Sequence, residues 1–339
     1  MTRCVALLSG GLDSMLAVRT MQKHGIEVEA LNFQTIFTCC QDQAGRAARE
    51  LGVRLTVLSQ EDDYLDLIKY PRFGYGKGAN PCIDCRIYMF RRARRFMEQV
   101  GAQFLVSGEV LGQRPKSQKR RDLEIIAFHS QVEELLLRPL SARLLPVTLP
   151  EQKGWVDRER LFAFRGRGRK ELIRLAHEYG FASIPAPSTG CALTEPRFSR
   201  KVHDLIELDP DSTRWDFELL KLGRHFRYDA HTKVIVGRRE SENDRLKYQF
   251  ELPEARQVTM LWPYSFAGPR VLLIGARNEG SLQFALALVL RFSKRLASDE
   301  AVVCVEDRDG SQLVTFDPSR MPMADQAAHA RTLATIEDV

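Results

Sequence analysis

An apolar strand over residues 4–8 runs directly into Ser9-Gly10-Gly11-Leu12-Asp13-Ser14, and a helix follows from about Met15 to His24, closed by Gly25. A glycine-rich turn between strand and helix gathers backbone N–H groups and the positive end of the helix dipole at one point, which favours an anion. The glycines permit close backbone approach, and the hydroxyls of Ser9 and Ser14 add donors. Asp13 repels phosphate, so its expected role is to help bind magnesium or to order the loop. The alternation continues with strands at 27–33, 54–58 and 104–107 and helices at 41–51 and 83–100. Strand–helix repetition of this kind predicts an α/β fold, a doubly wound parallel sheet whose ligands sit at the strand C-terminal ends.

The six-residue string resembles the fingerprint of the PP-loop ATP pyrophosphatases, Ser-Gly-Gly-x-Asp-Ser after the first strand. That resemblance implies cleavage of ATP between its α and β phosphates and adenylation of a substrate oxygen. It also implies that Ser9, Gly10, Gly11, Asp13 and Ser14 bind ATP with magnesium, while Phe33 and Gly108 border the adenine. No Gly-Lys-Ser or Gly-Lys-Thr occurs in the chain, which disfavours a P-loop kinase or GTPase.

Seven cysteines, an odd number, argue against a disulfide framework and for metal, redox or catalytic use of some of them. Pro81-Cys82-Ile83-Asp84-Cys85 opens a helix, whose N-terminus lowers thiol pKa and suits both sulfurs to be thiolate ligands or nucleophiles. Cys191 follows Thr189-Gly190 at the end of an extended segment. A structural zinc site would recruit a fourth protein ligand; three cysteines suit an iron–sulfur cluster with one open iron.

The phosphate loop, the Pro-Cys-x-x-Cys and the late Gly-Cys together resemble the tRNA thiouridine synthetases of the PP-loop group. Residues 107–118 and Leu137-Arg138-Pro139-Leu140 are similar to the 4-thiouridine-type branch. The resemblance implies that Cys82, Cys85 and Cys191 either hold a 4Fe-4S cluster or act as persulfide and resolving thiols, and the presence of Cys82 favours the cluster. It further implies a tRNA substrate and a sulfide or persulfide donor, with Gln113, Arg114 and Arg138 meeting ATP phosphates or RNA; Arg138 equally suits a structural ion pair. Cys4 and Cys304 read as core residues, and Cys39-Cys40, near the end of the second strand, either lies near the site or serves packing, with packing favoured.

Hydrophobic residues make up 44% of the 339 residues and charged residues 28%, which is globular usage that excludes a disordered chain. No apolar run approaches the roughly 20 residues that cross a bilayer, and the N-terminus has no signal-peptide layout. The expectation is a cytoplasmic protein with no membrane partner. Monomer and homodimer are both open. The length suggests a catalytic domain over 1–208, an α+β module over 209–325 and a loosely held tail over 326–339.

The net charge of +6 is modest, but cations cluster. Lys116 lies in one basic stretch, and Arg165, Arg167 and Arg169 alternate with Gly166 and Gly168 in another, a pattern that can follow a phosphate backbone. The phosphate loop begins at residue 9, so no N-terminal RNA-binding domain is expected before it. Residues 222–227 and 233–243 resemble the RNA-binding domain of NFACT proteins, which implies phosphate contacts from Arg224, Arg227, Lys233, Arg238 and Arg239. His225 and His231 read as surface residues. Two other classes compete: an ATP-dependent amide or carbon–nitrogen ligase, which has no need of the cysteines, and a non-catalytic RNA-binding protein.

Overall fold

The computed structural model describes residues 2–38, 43–186, 191–294 and 300–333, in two compact units, residues 1–192 and 193–339. Cys39 and Cys40, the motif residues Ser188, Thr189 and Gly190, and the end of the expected tail lie outside the described residues.

The first unit contains β1 (Arg3–Leu7), α1 (Leu12–Lys23), β2 (Glu27–Gln34), α2 (Gln43–Leu51), β3 (Arg54–Ser59), α3 (Asp63–Lys69), α4 (Cys82–Gln99), β4 (Phe104–Ser107), α5 (Arg120–Ser130), β5 (Leu136–Leu137), α6 (Leu149–Gln152) and α7 (Lys170–Glu178). Its sheet has the order β3-β2-β1-β4-β5 with every described pair parallel. This is the expected doubly wound class. The chain turns from β1 toward β2 on one side and later returns to β4 on the other, so the crevice lies outside the ends of β1 and β4.

Register levels those ends: Leu7 pairs with both Leu31 and Ser107. Helix α1 buries Leu12, Met15, Leu16, Val18 and Met21 against the sheet. It stops where Gly25 takes φ 73°, and the Ile26 N–H returns to the Met21 carbonyl at 3.1 Å, a left-handed glycine closure. On the other face α4 packs Ile87, Phe90, Ala93 and Met97 onto Val5, Leu31 and Leu105.

The second unit holds α8 (Pro196–Leu208), α9 (Arg214–Leu219), β6 (Arg224–Arg227), β7 (Lys233–Val236), α10 (Glu240–Glu251), β8 (Val258–Pro263), β9 (Val271–Ile274), α11 (Glu279–Arg291), β10 (Ala301–Asp307), β11 (Gly310–Phe316) and α12 (Ala324–His329). Its sheet, β11-β10-β8-β9-β7-β6, is antiparallel. Alternation splits its apolar residues: Val234 and Val236 meet α11, while Ile235 meets α9 and α10. Among the described residues no helix is long and apolar enough to cross a membrane.

Contrary to the sequence expectation, His225 is 1% exposed. It bonds the Leu222 carbonyl through Nε2 at 2.7 Å, and its Nδ1 has no hydrogen-bond partner. Burial first, then the charges of Lys233 and Lys201, hold its pKa well below the usual histidine range. The unfolded chain therefore binds a proton that the folded unit refuses. Stability is full above the unfolded value of about 6.5 and falls on acidification by up to about 1.4 kcal/mol per pH unit. Hydrogen-exchange protection of β7 and β9 between pH 7 and 5.5 should show this loss, and His225→Gln should reduce it.

Candidate active site

Gly10 takes φ 81°, and a Cβ there would lie 2.5 Å from the backbone of Gln43, so glycine alone lets the loop pass the start of α2. Ser14 folds back on the turn, its Oγ donating to the Gly11 carbonyl at 2.8 Å and accepting from the Ser9 N–H at 3.3 Å. Gly11 is the cap of α1 and supplies no side-chain acceptor to the first helical N–H groups. Those donors are what an anion would take.

Asp13 sits in the first turn of α1. Burial raises its carboxyl, opposed by a hydrogen bond with Gln113 and by the charges of Arg169 and Arg114. From the end of β4, Gly108 presses on the same turn: a Cβ at Gly108 would lie 2.4 Å from the Asp13 carbonyl oxygen and 2.5 Å from the Ser14 nitrogen. Phe33, one residue before the end of β2, is half-buried and opposite Leu58. Loop, β4 end and Gln113 thus form one place, as the sequence suggests.

Tyr64 in α3 is 2% exposed, and its hydroxyl lies 3.3 Å from Cys85 Sγ. Burial first, and then the neighbouring Cys85, Cys191 and Cys82, hold this phenol well above its usual range. Of the three sulfurs, Cys85 is the one within hydrogen-bond reach of this hydroxyl. Cys191 arrives through the Phe37 carbonyl, which accepts from Cys191 Sγ at 3.8 Å and from the Ala192 N–H at 3.3 Å. The Phe37 ring is 6.5 Å from the Tyr64 ring.

Cys82 accepts from Asn80 Nδ2 at 3.1 Å and lines a cavity of about 200 Å³ with Phe73, Tyr75, Lys116 and Lys119. Cys85 departs from the sequence expectation of an easily ionised thiol. Burial pushes it up, against the Tyr64 hydrogen bond and the charge of Arg86, because loss of solvent outweighs the dipole at the start of α4. Among the described residues no group of three or more His, Cys, Asp or Glu side chains is arranged to hold a metal ion. The sulfurs share a neighbourhood rather than a formed coordination sphere.

Arg114 connects the two places. The surrounding protein lowers its proton affinity first and Arg86 second, while Asp13, Cys82 and Glu109 act in the other direction. One guanidinium thus lies in the field of both the phosphate loop and the cysteine pair. Beneath it, Glu109 and Arg138 are 3% and 8% exposed and joined at 2.9 Å, and Arg86 lies 3.6 Å from the same carboxylate. Arg138 is therefore the structural ion-pair residue. Glu109 ties β4 to the cysteine helix.

The sequence reading misses Tyr64, Asn80, Arg86 and Glu109. Asn80, immediately before Pro81-Cys82, is the one that had a local signal; the others act across distant elements. Of the cations singled out for RNA, Lys116, Arg165 and Arg167 are exposed. Arg169 bonds the Pro185 carbonyl at 3.0 Å. In the second unit Lys233 is buried, its pKa brought down to about 8 by that burial, and Arg227 is clasped by Asp204 at 2.8 Å. Arg238 pairs with Glu242 yet stays half-exposed, Arg239 is exposed, and Arg224 stacks on Phe292 at 4.7 Å.

The chain thus combines a doubly wound domain, with a glycine-rich strand-to-helix loop and Cys82, Cys85 and Cys191, and a separate antiparallel module. The profile of the thiamine biosynthesis protein (ThiI) family matches residues 1–143, and that of the NFACT protein RNA binding domain matches residues 223–327. The tRNA-specific 2-thiouridylase MnmA of Methylobacterium nodulans is 27% identical over 261 residues, 70% of this chain and 64% of that protein. A probable tRNA sulfurtransferase of Methanothermobacter thermautotrophicus is 31% identical over 122 residues, 33% of this chain and 30% of that protein. The chain thus spans less than two thirds of these relatives. A solved 4-thiouridine synthetase–RNA complex with bound ATP is 21% identical with a TM-score of 0.39, covering 64% of this chain and 53% of the other. Residues 1–143 are thus similar to the thiamine biosynthesis protein family and residues 223–327 to the NFACT protein RNA binding domain.

The Gly108 contact gives a direct test. Gly108→Ala must displace the Asp13–Ser14 peptide, and equilibrium binding should show ATP affinity reduced by about tenfold or more, roughly 1.4 kcal/mol.

Proposed function

We propose that this chain is an ATP-dependent tRNA uridine thiolase, acting through the phosphate loop and the sulfurs of Cys82, Cys85 and Cys191. The observation that carries the reading is Cys85 against the Tyr64 hydroxyl, with Cys82 in the same first turn of α4 and Phe37 joining the Tyr64 ring to Cys191. A ligase on the same loop has no use for that grouping. The names of the relatives, a 2-thiouridylase and a tRNA sulfurtransferase, support the same chemistry.

A uridine carbonyl oxygen is a poor leaving group. In the proposed reaction it attacks the α phosphorus of ATP, pyrophosphate departs, and the oxygen becomes an adenylate. A sulfur nucleophile then adds at that ring carbon and AMP leaves with the oxygen. The N–H groups at the start of α1, together with Arg114, would hold the departing pyrophosphate, and Asp13 would help bind its magnesium. Asp13, held by Gln113, would keep the loop in register with Gly108.

The three thiols and the buried Tyr64 donor fit a 4Fe-4S cluster as a donor set, and such a cluster, when bound, would supply an open iron to hold sulfide. Cys85 favours this over a free persulfide nucleophile. Burial raises its proton affinity, which makes it a poorer free nucleophile. Lys116, Arg165, Arg167, Arg224, Arg238 and Arg239 would contact the tRNA backbone. A tRNA substrate suits a cytoplasmic protein.

Thionucleoside analysis of tRNA from a strain lacking this chain tests the reading. One thionucleoside should be missing. The wild-type chain should restore it, while Cys82→Ala, Cys85→Ala and Cys191→Ala should each fall short by about 100-fold or more. An unchanged profile contradicts the proposal.

A further inference from the structure

A second cavity of the first unit, about 500 Å³, is lined by residues of α3, α4, the loop that follows α3 and the end of α5. Phe73 lines both this groove and the smaller cavity that holds Cys82. Tyr88, also in the groove, sets its ring edge-on to Tyr64 at 5.2 Å. The groove therefore adjoins the sulfur site through two aromatic walls.

Four arginines and four carboxylates line it, but they are sorted. Asp84 is 8% exposed and turned to the backbone, accepting from the N–H groups of Arg72 and Phe73 at 3.1 Å each. Glu61 takes Arg92 at 2.6 Å. What remains is Arg72, Arg91 and Arg95, all exposed, and Asp63 and Asp66 on α3. Arg91 gives its Nε to the His129 carbonyl at 2.9 Å, and Arg95 has no hydrogen-bond or ion-pair partner among the described residues.

Rings accompany these cations. His129 lies 5.2 Å from both Phe73 and Phe128, the Arg72 guanidinium sits 5.5 Å over Phe73, and Tyr70 is 66% exposed. Exposed arginines suit a phosphate backbone, accessible rings suit the faces of bases, and carboxylates accept from base N–H groups. A purely phosphate-binding surface would have no use for Asp63 and Asp66. A duplex hides the faces of its bases, so the match is to a single strand.

We propose that this groove holds an unpaired segment of RNA, with its backbone along Arg72, Arg91 and Arg95 and its bases on Tyr70, Phe73 and His129. That the segment is led toward Cys82 rests on the thiolase reading; the binding itself does not.

The test is ultraviolet cross-linking of the full-length chain, without ATP, to an unstructured oligoribonucleotide of about ten nucleotides, within the usual range of single-strand sites. Modified peptides are mapped by mass spectrometry. Cross-links should fall on Tyr70, Phe73, Tyr88 or His129, and a duplex of the same sequence should compete about tenfold less well. Arg72→Glu combined with Arg95→Glu should lower the yield at these residues by about tenfold or more, and Tyr70→Ala by about fivefold. Arg54→Glu combined with Lys153→Glu makes the same charge change on exposed residues outside the groove and should leave the yield near that of the wild type.

All five substituted side chains are exposed, so circular dichroism of each variant should match the wild type. Cross-links confined to other peptides would overturn the proposal, and are also the result expected if the groove takes a protein segment. Equal competition by the duplex, or equal losses in the two charge-reversed pairs, would overturn it as well. Because the assay involves neither ATP nor sulfur, its failure leaves the thionucleoside profile to decide the thiolase reading separately.

Discussion

Gly108 lies so close to the Asp13–Ser14 peptide that no side chain fits between them, and the chemistry of the first unit is arranged around that contact. It fixes the end of β4 against the first turn of α1. Residues just beyond β4 then have no choice of direction: Gln113 meets Asp13, and Arg114 enters the field shared by Asp13 and Cys82. Glu109, one residue after the glycine, turns inward to Arg138 and Arg86. Since Arg86 follows Cys85 on α4, the phosphate loop and the cysteine helix are coupled through a buried carboxylate whose loss would leave two cations uncompensated.

The sulfur site is built by contrast rather than repetition. The three thiols are each held differently: Cys82 by an amide, Cys85 by the Tyr64 hydroxyl, Cys191 by the Phe37 carbonyl. Sulfurs with distinct partners can take distinct roles. The second unit is organised by different physics. Several of its charges are spent inward, Lys233 by burial and Arg227 on Asp204, so a basic composition there does not translate directly into a basic surface.

Much of the first unit was legible because its signals are local. The strand–loop–helix at residues 3–23 and the cysteine pair at the head of α4 depend on adjacent residues, and both lie where the pattern puts them, though α1 begins at Leu12 rather than near Met15 because Gly11 is its cap. The class of the sheet followed from alternation. What escaped depends on distant packing. Tyr64 is an ordinary aromatic until Cys85 and Cys191 are placed beside it, and β5, at two residues, is too short for any period. Strand β6 reads as polar, Arg-His-Phe-Arg, and its His225 looked like a surface residue; the sheet buries it together with Phe226. The ionisation of Cys85 was misjudged for a related reason: the helix terminus is visible in sequence, while the desolvation that outweighs it is not.

The central claim is that Cys191 meets the cysteine pair beside the nucleotide. Short bis-thiol cross-linking of the reduced chain, with products mapped by mass spectrometry and repeated with ATP present, measures this directly. The account predicts a link from Cys191 to Cys82 or Cys85 that ATP suppresses. Cys191 modified only singly, with no link to either partner, would contradict it.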